Sequence, residues 1–237
     1  MAGWEIIYID ETDSTNRWLR ERQWDDRTDK ALVVWSDFQT AGRGCGTNSW
    51  ESERGKNLLF SIRFRPEGVT AVEQFRISMA ISLAICETLE QHIGDLAIKW
   101  PNDIYWRNGK LGGILIENRL KGILICDSII GVGLNVNQQV FRSDAPNPVS
   151  LWQIHGQETD RRQLLEDILS RLEPWLQRDM KPAYMSRLYR RKGFYPYADK
   201  VGVFMAEIID VERDGHLILC DEHGQNRRYA FKEVTFV

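Results

Sequence analysis

Cysteine and histidine are scarce in this sequence, and their positions predict no structural metal site. The 237 residues include four cysteines and four histidines. The cysteines lie far apart, with no CxxC pair and no histidine at the spacing of a zinc site. Scattered single cysteines are typical of free thiols in a reducing compartment. We therefore expect a cytoplasmic protein without structural zinc.

Long apolar runs and a strong excess of one charge are also missing. No window approaches the roughly 20 apolar residues that span a bilayer, and the first ten residues lack the features of a secretory signal. Because the net charge is −3, electrostatics favour neither a nucleic acid nor a membrane as partner. The short basic run Arg190-Arg191-Lys192 is interpreted as the solvated end of a helix.

What is present predicts an α+β fold, with a hydrophobic content of 43% and 27% charged residues, as in an ordinary globular protein. Alternation and apolar runs predict strands at residues 4–9, 31–38, 59–65, 96–100, 104–106, 111–117 and 123–137. Helical spacing predicts helices at residues 13–24, 72–92, 160–178 and 183–192. The helix at 72–92 has so wide an apolar arc that it is expected to be buried behind a sheet.

The pattern changes after Lys192. Residues 193–196 are interpreted as a linker, and residues 200–237 show short alternating strands with turns at Asp214-Gly215 and His223-Gly224. About forty residues of this kind predict a small β-barrel. We therefore predict two domains, a catalytic domain at 1–193 and a small β domain at 194–237.

One segment gathers the groups that an anionic ligand needs. Lys99-Trp100-Pro101-Asn102-Asp103 is followed by Lys110-Leu111-Gly112-Gly113-Ile114-Leu115. Asn108-Gly109 between them is a two-residue hairpin signal, and strands joined there bring Asn102, Asp103 and Lys110 together. Two cations, a carboxylate and an amide beside paired glycines suit an anion held close to the backbone. This arrangement predicts an enzyme site.

Four segments together resemble the biotin protein ligases, also called biotin–[acetyl-CoA-carboxylase] ligases. In chain order they are DSTN at 13–16, QTAGRG at 39–44 with Trp50 beyond it, KWPND and KLGGIL at 99–115, and GVGLNVN at 131–137. The resemblance implies a mixed sheet backed by helices, the class II synthetase-like fold of biotin and lipoate ligases, with an SH3-like C-terminal barrel. Only twelve residues precede Asp13, so we expect the monofunctional form without a DNA-binding domain.

The resemblance implies a two-step reaction. Biotin and ATP form biotinyl-5′-AMP, and a lysine of a biotin carboxyl carrier protein then attacks this adenylate. Mg²⁺ is expected to screen the phosphates, although the sequence assigns no ligand to it. The partners considered are the carrier domain of a biotin-dependent carboxylase and a second copy of the chain.

The resemblance also assigns roles to individual residues. Arg43, Asp103 and Lys110 are the predicted catalytic residues, with Lys110 on biotin's carboxylate and the α-phosphate and Asp103 on the incoming lysine. The residues predicted to bind biotin are Ser14, Thr15, Asn16, Gln39, Gly42, Arg43, Gly44, Cys45, Lys110, Gly112 and Gly113. Those predicted to bind ATP are Arg43, Trp50, Asn102, Lys110 and Asn135.

Cys45 departs from the family pattern, which more often has a second arginine at this position. The absence of this arginine removes one charge-assisted contact, typically worth about 1.5–3 kcal/mol. Arg54 and Lys56 are candidates to supply the missing positive charge. Two other functions stay open, a lipoate or octanoate ligase-type acyltransferase and a non-catalytic biotin-binding sensor. Ser14, Thr15 and Asp103 could also serve simply as helix or turn caps.

Overall fold

Seven strands form a mixed sheet in the computed structural model, which describes residues 3–24, 31–46, 48–142 and 146–237. The strands are β1 (Glu5–Thr12), β2 (Leu32–Gln39), β3 (Leu58–Phe64), β4 (Leu96–Lys99), β5 (Asp103–Trp106), β6 (Gly109–Lys121) and β7 (Leu124–Leu134). Their order in the sheet is β1-β2-β3-β7-β6-β5-β4. Only β1 and β2 are parallel, and every other neighbouring pair is antiparallel. The predicted α+β class is confirmed.

The two faces of the sheet carry different layers, as the alternation in β3 shows. Phe60, Ile62 and Phe64 belong to the main hydrophobic core, which includes the helix α2 (Phe75–Leu89). Ser61 and Arg63 alternate with them and contact α1 (Thr15–Glu21) on the opposite face. Both faces of β3 are therefore buried, although one of them carries the polar side chains of Ser61 and Arg63.

The helix predicted at 72–92 is confirmed as a buried element behind the sheet. Thirteen of the fifteen residues of α2 are buried, which explains its wide apolar arc. The helices that follow the sheet are α3 (Leu151–His155), α4 (Arg161–Leu176) and α5 (Lys181–Ser186). Of these, α4 and α5 pack against α2. Within the described ranges, no helix is both long and apolar enough to cross a membrane.

Five short strands near the C-terminus form a second, antiparallel sheet. They are β8 (Tyr195–Ala198), β9 (Val203–Val211), β10 (Leu217–Asp221), β11 (Asn226–Tyr229) and β12 (Thr235–Phe236). Their order is β11-β10-β9-β8-β12, consistent with an SH3-like module. The predicted turns are confirmed, because Gly215 and Gly224 have φ values of 93° and 77° between successive strands. Ile208 and Leu219 share a continuous core with α2, and the division at residue 193 stays a prediction.

The basic run at 190–192 does not end a helix, so that prediction is wrong. Helix α5 stops at Ser186, and Arg190 has a φ of 57°, which is incompatible with a continuing helix. The Arg190 guanidinium donates to the carbonyl of Pro196, and that of Arg191 donates to the carbonyl of Ile208. These arginines therefore attach the first part of the chain to β8 and β9.

Three other boundaries also differ from the sequence prediction. The hairpin turn between β5 and β6 is Arg107-Asn108, because Trp106 pairs with Gly109 and Arg107 itself takes a φ of 51°. The first helix spans only Thr15–Glu21. The expected linker is shorter than residues 193–196, since Tyr195 and Pro196 pair with β9.

A buried ion pair links the sheet to α1. The Arg63 guanidinium makes two hydrogen bonds to the Asp127 carboxylate, at 3.0 and 2.7 Å, and both side chains are at most 7% exposed. Arg63 also donates to the carbonyls of Leu19 and Arg22 at the end of the helix. This places a cation at the negative end of the helix dipole and satisfies carbonyls that the last turn leaves free.

We predict that Arg63→Met lowers the free energy of unfolding by about 3–5 kcal/mol, because it leaves a buried carboxylate without its main partner. Arg107→Met is the matched control, since its ion pair with Asp95 is exposed and is expected to contribute less than about 1 kcal/mol. Urea unfolding of both variants measures the difference. Equal small losses would show that the buried pair does not anchor α1.

Candidate active site

Three glycines leave a strip of the large sheet without side chains. Gly113 on β6 pairs with Gly133 on β7, and Gly131 lies two residues before Gly133. A Cβ on Gly133 would lie 2.5 Å from the ring of Trp50, and one on Gly131 would collide with the amide of Asn16. The strip borders a cavity of about 910 Å³, and the Trp50 ring and the Asn16 amide approach its backbone closely because no Cβ intervenes.

The start of α1 forms one side of the cavity. The Thr15 hydroxyl and backbone N–H both donate to Gln39 Oε1, at 3.1 and 2.8 Å. Ser61 donates to Asn16 Oδ1 at 2.6 Å, and the Asn16 amide donates to Glu117 at 2.9 Å. Ser14 is at the N-cap position, but its side chain makes no capping hydrogen bond. Capping therefore does not explain the Ser14 hydroxyl, which lines the cavity.

The glycine–arginine segment folds into a small hairpin above the glycine strip. Gly44 N–H donates to the Asn48 carbonyl at 2.7 Å, and Trp50 N–H donates to the Gly42 carbonyl at 2.9 Å. These hydrogen bonds bring Trp50 back to the surface of the sheet, where its ring covers Gly133. Arg43 lies at the cavity edge, half exposed, with its guanidinium 3.8 Å from the Glu117 carboxylate. This loose contact leaves Arg43 able to turn toward an anion.

Asp103 and Lys110 meet inside the cavity, as the hairpin prediction requires. The Lys110 Nζ lies 2.7 Å from Asp103 Oδ1, and their side chains are 27% and 20% exposed. Both groups stand next to Gly113, where a Cβ would lie 3.5 Å from Lys110 Cε and 3.6 Å from Asp103 Oδ1. An ammonium that lines the cavity can bind the negative end of a ligand that enters it.

Asn102 and Cys45 connect the hairpin to the turn that precedes β5. The Asn102 amide donates to the Ile114 carbonyl at 2.7 Å and to the Cys45 sulfur at 3.0 Å. Burial, reinforced by the nearby Asp103 carboxylate, raises the pKa of the Cys45 thiol. Cys45 is therefore a neutral thiol near neutral pH, and it brings no charge to the cavity.

Asn135 also holds the wall of the cavity together. Its amide donates to the Lys110 carbonyl at 3.3 Å and to the Val149 carbonyl at 3.1 Å. The Lys110 N–H in turn donates to the Asn147 carbonyl at 2.7 Å. Asn135 thus fixes the backbone of the strand that carries Lys110 against the segment around Val149, and its side chain borders the cavity.

The structure brings most of the predicted site residues to this one cavity, with two exceptions. Gly42 and Gly112 do not line it. A Cβ on Gly42 would lie 2.7 Å from the Trp50 carbonyl oxygen, and one on Gly112 would collide with Leu134 on the core side of the sheet. Gly42 therefore permits the hairpin, and Gly112 permits packing. The predicted residues that line the cavity are Ser14, Thr15, Asn16, Gln39, Arg43, Gly44, Cys45, Trp50, Asn102, Asp103, Lys110, Gly113 and Asn135.

Arg54 and Lys56, the two candidates to supply the charge that Cys45 lacks, do not line the cavity. Arg54 pairs with Asp10 and Glu11. Lys56 lies 3.7 Å from Glu158. Nearness in the chain did not translate into nearness to the site.

Sequence reasoning missed a wall of the cavity that the second sheet supplies. This wall consists of Phe231, Lys232, Val234, Thr235 and Phe236. The indole N–H of Trp100 donates to the Gly215 carbonyl at 2.9 Å and so joins the two sheets beside the site. No local motif marks these residues, because only the packing of the two sheets brings them within reach.

The described lining has an excess of positive charge. Its cations are Arg43, Lys99, Lys110 and Lys232, and its carboxylates are Glu51 and Asp103. Burial lowers the pKa of Lys99, whose amine donates to the Tyr105 hydroxyl at 3.1 Å. A concave surface with this charge balance attracts anions.

Comparisons with known proteins agree with this geometry. The sequence model of the biotin/lipoate A/B protein ligase family matches residues 8–135. The chain is 29% identical to the bifunctional ligase/repressor BirA of Bacillus subtilis, over 97% of this chain and 74% of that protein. It is 30% identical to the biotin–[acetyl-CoA-carboxylase] ligase of Mycobacterium tuberculosis, over 73% of this chain and 64% of that protein. Its fold resembles that of the Aquifex aeolicus biotin protein ligase in complex with biotin and ATP, with a TM-score of 0.80 at 24% identity over 98% of both chains.

We predict that Gly133→Ala lowers the free energy of unfolding by about 1–3 kcal/mol, because the added methyl group collides with the Trp50 ring. The loss should shrink in a Trp50→Ala background, where the ring is absent. Gly94→Ala is the control, since a Cβ there meets nothing within 4 Å. Denaturant unfolding of the single and double variants measures the coupling. An undiminished loss in the double variant would contradict this contact.

Proposed function

Because the chain belongs to the biotin/lipoate A/B protein ligase family, we propose that it uses ATP to join biotin to a lysine of a carrier protein. The observation that carries this proposal is the Asp103–Lys110 pair beside the glycine strip, in a cavity with excess positive charge. A relative that matches 73% of the chain is named biotin–[acetyl-CoA-carboxylase] ligase, and the fold resembles that of a biotin protein ligase in complex with biotin and ATP. Biotin and ATP are therefore its substrates, and biotinyl-5′-AMP is its intermediate.

The first step needs cations, because two anions must approach each other. An oxygen of the biotin carboxylate attacks the α-phosphorus of ATP, an O–P bond forms, and the bond to the bridging oxygen breaks as pyrophosphate leaves with the electron pair. Lys110 is proposed to hold both the biotin carboxylate and the α-phosphate. Arg43, half exposed at the cavity edge, is proposed to supply forked donors to the phosphate.

The second step needs a neutral amine and protection from water. The carrier lysine attacks the acyl carbon, a C–N bond forms, and the C–O bond to phosphate breaks as AMP leaves. The nitrogen loses one proton, for which Asp103 is the proposed acceptor. Trp50 and the hairpin that carries it would cover the adenylate and slow its hydrolysis.

The biotin ring is proposed to lie at the α1 side of the cavity, where Ser14 and Thr15 line the wall. Gln39 orients Thr15 by accepting both of its hydrogen bonds. Asn16 uses its amide oxygen to accept from Ser61 and its amide nitrogen to donate to Glu117. We therefore propose that it forms part of the cavity wall under the biotin ring. Asn102 and Asn135 donate to backbone carbonyls of the cavity wall, and we propose that both side chains contact the nucleotide.

Magnesium fits this cavity as a companion of ATP. Mg²⁺ is usually held by one or two carboxylates together with substrate phosphates and water, and Glu51 and Asp103 are the carboxylates of the described lining. These two residues are the proposed protein ligands. When bound, the ion would neutralise phosphate charge.

The remaining assignments rest on the family. The proposed protein partner is the biotin carboxyl carrier domain of a biotin-dependent carboxylase, and a homodimer is the proposed assembly. The proposed location is the cytoplasm, where the four free cysteines would stay reduced. We also propose that residues 194–237 act as a separate SH3-like domain that closes over ATP or the carrier protein.

The direct test is pyrophosphate release with ATP, Mg²⁺ and either biotin or lipoate, followed by mass spectrometry of an added carrier domain. We expect biotin-dependent release and a biotin-sized mass gain on one carrier lysine. Activity with lipoate alone would replace the proposed substrate. Biotin binding without pyrophosphate release would indicate a sensor.

We predict that Lys110→Ala slows adenylate formation by at least about 10²–10³-fold, because the cation that stabilises the developing charge is lost. Lys121→Ala is the matched control, since Lys121 is exposed on the same strand. Biotin-dependent pyrophosphate release in the absence of carrier measures the step. A rate near that of the unaltered chain would exclude the assigned role.

A further inference from the structure

Lys232 projects from the second sheet toward the hairpin that carries Arg43. It lies between β11 and β12 and lines the cavity. Its ammonium stands so close to Gly46 that a Cβ on this glycine would collide with it. Cys45 directly precedes Gly46, and the positive charge of Lys232 is close enough to act on the pKa of the Cys45 thiol. Lys232 therefore brings a charge to the hairpin at the place where Cys45 brings none.

No carboxylate neutralises this lysine within the part of the chain that the structure describes. Lys110 is paired with Asp103, and Lys99 donates to Tyr105. Lys232, in contrast, has no ion pair among the described residues. Its Nζ lies 5.8 Å from the centroid of the Phe231 ring. A cation that faces a cavity without a counter-charge is available to an anionic ligand.

The backbone of Lys232 supports a role for its side chain. Lys232 has a φ of 70°, in the left-handed region where a non-glycine residue costs roughly 1–2 kcal/mol. Glycine would adopt this conformation without the cost. A lysine held in such a conformation at the edge of a cavity suggests a functional reason for its side chain.

We propose that Lys232 is the phosphate-binding cation that replaces the arginine missing at Cys45, and that it holds ATP and retains the adenylate from the side of the second sheet. The proposal rests on the proposed ligase function. It assigns to the C-terminal sheet a direct contact with the nucleotide. It also explains why the hairpin can carry a neutral cysteine, because Lys232 supplies the positive charge.

The test uses Lys232→Gly, which removes the charge and suits the left-handed backbone, so that folding should be preserved. Lys232→Asn is a second variant, because asparagine also tolerates this conformation. Lys200→Ala is the control, since it removes an exposed charge from the same part of the chain. The quantities to measure are KM for ATP, KM for biotin, and the lifetime of the enzyme-bound adenylate after removal of free substrates.

We expect both Lys232 variants to raise KM for ATP and to shorten the adenylate lifetime by about ten- to a hundredfold, the range for loss of one charge-assisted contact. KM for biotin should stay unchanged, and Lys200→Ala should behave like the unaltered chain. Adding Cys45→Arg to Lys232→Gly should restore much of the lifetime, because arginine then supplies the charge from the hairpin itself.

The outcomes separate the two proposals. If the unaltered chain releases pyrophosphate with biotin but the Lys232 variants keep its KM for ATP and its adenylate lifetime, the role of Lys232 is excluded and the ligase function stands. If the unaltered chain releases no pyrophosphate with biotin, the ligase function falls and the role of Lys232 falls with it. Equal increases in both KM values would indicate a general distortion of the cavity and would also exclude the phosphate role.

Discussion

The site depends on close approach to a sheet surface that has no side chains. Trp50 and Asn16 reach the backbone of β7 only because Gly133 and Gly131 have no Cβ. Any larger residue there would lift the hairpin or α1 away from the sheet and disconnect the predicted biotin residues from Lys110. This steric constraint links elements that are far apart in the chain, and it explains why the cavity lies over β6 and β7.

Polar groups inside the sheet keep α1 on that surface. Ser61 and Arg63 occupy the buried face of β3 where apolar residues would ordinarily stand, and both contact α1. Because buried polar groups are costly unless they are satisfied, their hydrogen bonds specify one position for the helix. The N-terminal turn of α1 is thereby held beside the cavity, while the opposite face of the sheet keeps an apolar core with α2.

The loop between β11 and β12 and the strand β12 of the second sheet form part of the site, because their side chains line the cavity. Side chains of this sheet also share the core of α2, and the loop between β11 and β12 forms one wall of the cavity. Arg190 and Arg191 strengthen this attachment by donating to carbonyls of the second sheet. A cation on that wall can therefore act on a ligand that lies mainly on the first sheet.

Local patterns in the sequence determined the strands, the buried helix α2 and the meeting of Asp103 with Lys110, because strand alternation, helical spacing and a short hairpin act between near neighbours. The four family segments likewise identified thirteen residues that line one cavity. Only the tertiary structure decided that Gly112 faces the core, that Asn102 binds Cys45, and that Lys232 approaches the hairpin. These contacts join residues separated by 57 positions in the case of Asn102 and Cys45, and no local periodicity encodes such a distance. They follow from how two sheets and a loop pack together, which is a property of the whole chain.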